Sequence, residues 1–221
     1  MTVQWSYSSL KTFQQCPKKY FHLKIAKDVE NEGGEAANYG KLVHKAAEDY
    51  IRDGTPIPKQ FQYMVPILDA LIKIPGKKFC EIELGIAKKD GKFVACKFDA
   101  PNYWWHGIAD LLIVDGGLAW LVDYKTSKNA KYADTKQLDL LAAAVFLHFP
   151  GVLEIKSALA FVVSNEFVRK EHHSFYKTKY LEVMKPELDR LEAAVENKVW
   201  NPISGPLCKF CPVKTCVHNK G

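Results

Sequence analysis

The stretch from Gly107 to Lys125, GIADLLIVDGGLAWLVDYK, restricts the fold more than any other part of the chain. Two apolar runs, Leu111–Val114 and Leu118–Val122, flank Gly116-Gly117, which is the pattern of a β-hairpin closed by a two-residue turn. Such strands are too apolar to lie on a surface. Folding about the glycine pair sets Asp110 opposite Asp123 at the open end. Period-two alternation then puts Asp123 and Lys125 on one face, with Tyr124 on the other. Two carboxylates and an ammonium at the end of an apolar hairpin are costly to bury unless they pair with one another or hold a cation and a substrate. In the second case Asp110 and Asp123 are hard oxygen ligands for Mg²⁺ or Mn²⁺. Lys125 then orients an attacking water or stabilises charge on a phosphate.

The 221 residues suffice for one domain, 1–221, with a sizeable core and a small appendage. A hydrophobic share of 48% with 25% charged residues excludes an extended disordered chain. A net charge of +6 suits a polyanionic partner without requiring one. No apolar run approaches the roughly 20 residues needed to cross a bilayer, and MTVQWSYSS lacks an apolar signal segment. The expectation is an intracellular, cytoplasmic protein without membrane association. In that compartment six cysteines serve as ligands or core residues rather than disulfides.

Along the chain, Ser8-Ser9 is a plausible cap for a helical segment interrupted near Pro17, and Glu30–Ala37 reads as a polar loop. A helix is predicted over about 36–52, carrying Gly40, Val43, His44, Ala47 and Tyr50. A loop and a short helix (Phe61–Leu71) precede a strand, Lys77–Ile86, bearing Glu81 and Glu83 on one face. Phe93–Trp105 is an aromatic-rich strand and loop. Thr126–Thr135 is a loop with Lys128 and Lys131, suited to phosphate contact. A helix follows over Asp134–Phe149 with Gln137 in its first turn. Then come strands Ile155–Val163 and Phe167–Tyr176, with His172 and His173 solvated, and a helix Lys179–Lys198. In the tail Cys208, Cys211 and Cys216 have metal-ligand spacing. Either His218 completes a local zinc site, or Cys16 completes a four-thiolate site. Cys80 and Cys96 lack partners in motif spacing and read as core.

An acidic residue, a hairpin, then Asp-x-Lys resembles the PD-(D/E)XK nuclease superfamily, and GIADLLIVDGG…LVDYKT resembles its RecB-like branch in particular. The resemblance implies an α/β fold, a mixed central β-sheet flanked by helices (a restriction-endonuclease-like core over about 36–176). It also implies a cysteine-stapled subdomain from about 1–30 and 179–221. Asp110 and Asp123 would bind Mg or Mn, with the Tyr124 backbone carbonyl contributing, and Lys125 would assist hydrolytic attack. GKLVHKAAE resembles the GxxxH element of RecB-like nucleases, which makes His44 a metal ligand and Gly40 a point of close backbone approach. Glu81 corresponds to an additional acid, and Gln137 to the glutamine of a QxxxY element whose tyrosine is replaced here by Leu141. Among the cysteines, the resemblance favours Cys16, Cys208, Cys211 and Cys216 around a 4Fe-4S cluster, with zinc as the alternative.

The implied function is a metal-dependent DNA exonuclease, most like phage-encoded enzymes of DNA degradation, recombination or repair. Its partner is DNA, single-stranded or duplex ends, with room for a homo-oligomer or a recombination or replication protein. The alternatives are a CRISPR-adaptation-type nuclease, a structure-selective endonuclease, and a metal-stapled DNA-binding protein without activity.

Overall fold

The turn at Gly116-Gly117 forms as its composition predicts, with Asp115 facing Leu118 across it and Gly116 at φ +57°. The computed structural model that contains it describes residues 3–30, 33–131 and 133–219. Asn31 and Glu32 of the expected polar loop, and Tyr132 of the lysine-bearing loop, lie outside the described residues. The chain divides into two units: Gly34–Val183, and a discontinuous one made of Met1–Gly33 with Met184–Gly221.

In the discontinuous unit, α1 (Tyr7–Gln15) starts one turn's reach from Ser6, not at Ser8-Ser9. Ser6 Oγ accepts the Ser9 amide and Ser9 Oγ returns to the Ser6 backbone, a capping box with serine in the second role. Cys16 then leaves the helical region at φ −166°, Pro17 opens α2 (Pro17–Tyr20), and a π-helical turn follows over Phe21–Ala26. Trp200 stacks on Tyr20 with ring centres 6.0 Å apart and meets Phe13 edge-on at 6.4 Å, so aromatic packing joins the two terminal segments. α7 spans Lys185–Asn197 with Pro186 in its first turn. The expected continuous helix over Lys179–Lys198 is therefore two helices, because a proline amide cannot carry a helix through that point.

The larger unit holds α3 (Glu35–Asp53), a 3₁₀ segment (Lys59–Met64), α4 (Val65–Ile72), α5 (Lys136–His148) and α6 (Lys177–Leu181). Its strands are β1 (Lys77–Lys89), β2 (Lys92–Cys96), β3 (Tyr103–Asp115), β4 (Leu118–Lys125), β5 (Glu154–Phe161) and β6 (Glu166–His173). They make one mixed six-stranded sheet in the order β2-β1-β3-β4-β5-β6. Only β4 and β5 run parallel, and α5 is the crossover between them. The architecture is an α/β sheet flanked by helices.

One layer of core joins Val43 and Ala47 of α3 and Phe61, Met64 and Leu68 to Leu111, Ile113, Val122 and Tyr124 of the hairpin. α5 is buried almost all round from Leu138 to Phe146, which a helix needs when it fills the space over a sheet. Gly107 is dictated by this packing: a Cβ there would lie 2.7 Å from the buried Trp105 ring and 3.5 Å from Leu141 Cδ2. Three local expectations fail. His172 is not solvated but fully buried. Cys96 is half-buried instead of core, whereas Cys80, also half-buried, packs against the core. Gly40 admits no close backbone, since a Cβ there would meet nothing nearer than the Thr126 hydroxyl at 3.8 Å.

Candidate active site

The β3–β4 ladder ends at Leu111 opposite Val122, one step before Asp110 and Asp123. There Asp110 replaces backbone pairing with its side chain: Oδ2 accepts the Tyr124 amide at 2.6 Å. The other oxygen, Oδ1, lies 3.2 Å from His44 Nδ1, which α3 delivers from across the sheet. Burial alone would lower the His44 pKa. The Asp110 hydrogen bond and charge, with the charges of Asp123 and Glu81, outweigh it and leave the imidazole raised.

Glu81 completes the group from β1, at the step between the Cys80–Leu111 and Ile82–Ala109 pairs, which sets it opposite Asp110. It sits at φ +50°, the only non-glycine residue inside a strand with a left-handed backbone among the described residues. Such a residue costs on the order of 1–3 kcal/mol and persists where its surroundings require it. Burial, then the charge of Asp110, push the Glu81 carboxyl up to about 7. Ligand atoms of His44, Glu81 and Asp110 all lie within 4.8 Å of one another. Glu83, the other candidate on the strand, is exposed and pairs with Ile108.

Asp123 is 3% exposed. Burial, then the Asp110 charge, push it up to about 6 against the pull of Lys125 and His44. Lys125 Nζ lies 2.5 Å from Asp123 Oδ2, and that buried oxygen has no other partner. The same ammonium donates to Gln137 Oε1 at 3.2 Å. Asp123, Lys125 and Gln137 thus form a second group beside the first, with Asp110 as the link. A cavity of about 400 Å³ opens onto His44 and Glu81, lined also by Lys41, Lys45 and Glu48 of α3. One imidazole and carboxylates crowded at a splayed strand pair, two of them raised by burial and mutual repulsion, are a donor set suited to a divalent cation. Leu141, where the family pattern has tyrosine, is buried against β3 and adds no polar group.

Within the terminal unit a cavity of about 180 Å³ is lined by Cys16, Cys208, Cys211 and Cys216, and His218 is not among its lining residues. All four thiols are free, and no three lie within 4.8 Å of one another among the described residues. A tetrahedral zinc site with bonds of about 2.3 Å would bring such sulfurs to about 3.8 Å. The Cys16 sulfur accepts the Ile203 amide at 3.5 Å.

An imidazole and carboxylates gathered at the splayed end of a hairpin, with a lysine beside them, define a site of the class suited to divalent-cation chemistry. The chain belongs to the PD-(D/E)XK nuclease superfamily, whose family model matches residues 4–216. It is therefore a nuclease of a superfamily that uses divalent metals and acts on DNA. Among solved structures, a protein of Eubacterium rectale provisionally described as an exonuclease is similar over 93% of this chain and 86% of its own, with 16% identity and a TM-score of 0.52. The protein SSO0001 is similar over 99% of this chain and 88% of its own, with 14% identity and a TM-score of 0.41. No curated protein matches. Among the described residues no helix is long and apolar enough to cross a membrane.

Asp139 of α5 and its partner Lys170 on β6 carry no motif in the sequence, and its other partner there, His172, reads as solvated. An acid inside the apolar run LDLLAAAVF was the available signal.

Proposed function

We propose that the protein is a Mg²⁺- or Mn²⁺-dependent DNA exonuclease of the phage-encoded, RecB-like kind, active in DNA degradation, recombination or repair. The observation that carries this reading is the convergence of His44, Glu81 and Asp110 ligand atoms within 4.8 Å, beside the Asp123–Lys125 contact. His44, Glu81, Asp110 and Asp123 would hold the cation, and the Tyr124 carbonyl is an additional ligand. When bound, the cation supplies Lewis acidity toward a phosphate oxygen and a water of lowered pKa. Lys125 faces the same region with one N–H toward Gln137 and its charge against Asp123, which leaves a donor for the attacking water or a phosphate oxygen. Gln137 fixes the direction of that ammonium. Lys41 lines the cavity and supplies sequence-independent attraction for a phosphate backbone, while Lys45 there is paired with Glu48 and Asp49.

The test is cleavage of end-labelled linear and covalently closed circular DNA with either metal. Wild type is expected to degrade linear DNA alone, and Asp123→Ala to degrade neither. Cut circles would make the protein an endonuclease, and intact substrates throughout would leave a DNA-binding module.

We assign Cys16, Cys208, Cys211 and Cys216 to a 4Fe-4S cluster. Support comes from their sharing one cavity and from the Ile203 amide directed at Cys16, a contact of the kind that tunes cluster sulfurs. Protein purified without oxygen is expected to carry four irons per chain with absorption in the visible, lost in Cys211→Ser. One zinc per chain and a colourless protein would refute the assignment.

A further inference from the structure

Two residues beyond Gln137, the same helix carries a second buried polar contact that the catalytic groups do not use. Asp139 is 2% exposed. Its Oδ1 accepts from His172 Nε2 at 2.9 Å, and the Lys170 ammonium lies 2.7 Å from Oδ1 and 2.8 Å from Oδ2. His172 is itself fully buried, with its Nδ1 3.4 Å from Ser157 Oγ and its ring edge-on to Tyr180 at 4.9 Å. Ser157 Oγ in turn donates to the Lys170 carbonyl at 3.0 Å. The network ties α5 to β5 and β6, and every member lies in the larger unit.

Its placement bears on the Lys125 ammonium. At about 100° per residue, Gln137 and Asp139 point to opposite sides of the first two turns of α5. Gln137 reaches the end of β4, and Asp139 reaches β6 on the far side of β5. The other buried contacts of this segment, Leu138, Leu140 and Leu141, are apolar and hold the helix by close packing. To that packing Asp139 adds a charged, directional restraint on the azimuth of the first turns of the helix.

We infer that Asp139, held by His172 and Lys170, is a positioning residue that sets Gln137 and through it the Lys125 ammonium. This rests on the proposed roles of Lys125 and Gln137.

The experiment compares wild type, Gln137→Ala, Asp139→Asn and the double variant at a temperature where circular dichroism shows all four folded. Turnover and KM for linear DNA with Mn²⁺ are measured, and the Lys125 side-chain NMR signal is followed, assigned by its loss in Lys125→Ala. Each single variant is expected to lower kcat about 10- to 100-fold with little change in KM, as a displaced catalytic group does. The double variant is expected to be no worse than the poorer single one, because both act on one ammonium. The Lys125 signal moves in Asp139→Asn as it does in Gln137→Ala. Losses that multiply, or an unmoved Lys125 signal in Asp139→Asn, overturn the inference and leave Asp139 a stability residue. Absence of turnover in wild type overturns the nuclease reading instead, and the Lys125 signal still decides the positioning claim.

Discussion

Asp123→Asn is expected to abolish cleavage and at the same time raise the melting temperature of the metal-free protein. Asp123 is buried, and burial and the Asp110 charge push its carboxyl up to about 6 from an ordinary 3.8. At pH 8 it is ionised both folded and unfolded, so folding bears the cost of a charge placed where it is disfavoured. About two pKa units correspond to about 3 kcal/mol. Asparagine keeps the shape and removes that charge, while Lys125, a third exposed, loses a partner but regains water. The net gain is then about 1–2 kcal/mol, or a rise of roughly 2–8 °C for a chain of this size. Calorimetry in EDTA at pH 8 measures it. The stabilisation by Mn²⁺ that wild type gains by mass action should shrink in the variant. A variant less stable than wild type would mean that Lys125 holds the carboxylate more firmly than Asp110 repels it.

The second large effect is a reversal of pH dependence on adding metal. Glu81 is pushed up to about 7, and His44 is raised above its ordinary 6.5. Both folded values exceed the unfolded ones, so the stability each contributes is complete below the unfolded pKa and is lost as pH rises through the folded pKa. Metal-free protein should therefore lose melting temperature between about pH 4.5 and pH 7.5, and Glu81→Gln should flatten that slope. A divalent cation needs the carboxylates ionised and the imidazole neutral, so with saturating Mn²⁺ the slope should change sign. Cleavage should rise over the same interval. An acid-side stability loss in metal-free wild type would contradict the repulsion described at this site.

Much of this site was legible in sequence because chemistry and spacing there coincide. The Gly116-Gly117 turn fixes the register, and register alone places Asp110 opposite Asp123. The lone helix histidine gained meaning only from the hairpin downstream, and the fold brings His44 to Asp110. Alternation could not separate Glu81 from Glu83, because a left-handed residue inside a strand has no sequence signature when it is glutamate. His172 was misread for a similar reason: its burial depends on Asp139, distant in sequence, and a doubled histidine in a polar segment gives no hint of an internal acceptor. Helix limits failed where single residues decide them, at Ser6 and Pro186.

The discontinuity of the terminal unit has a consequence for biosynthesis. Gly34–Val183 is contiguous, so it can fold as soon as it clears the ribosome. Residues 1–33 are made before it and residues 184–221 after it, so the two segments of the other unit can join only once the larger unit has been made. A nascent chain can therefore bring His44, Glu81 and Asp110 together before Cys16 has met Cys208, Cys211 and Cys216.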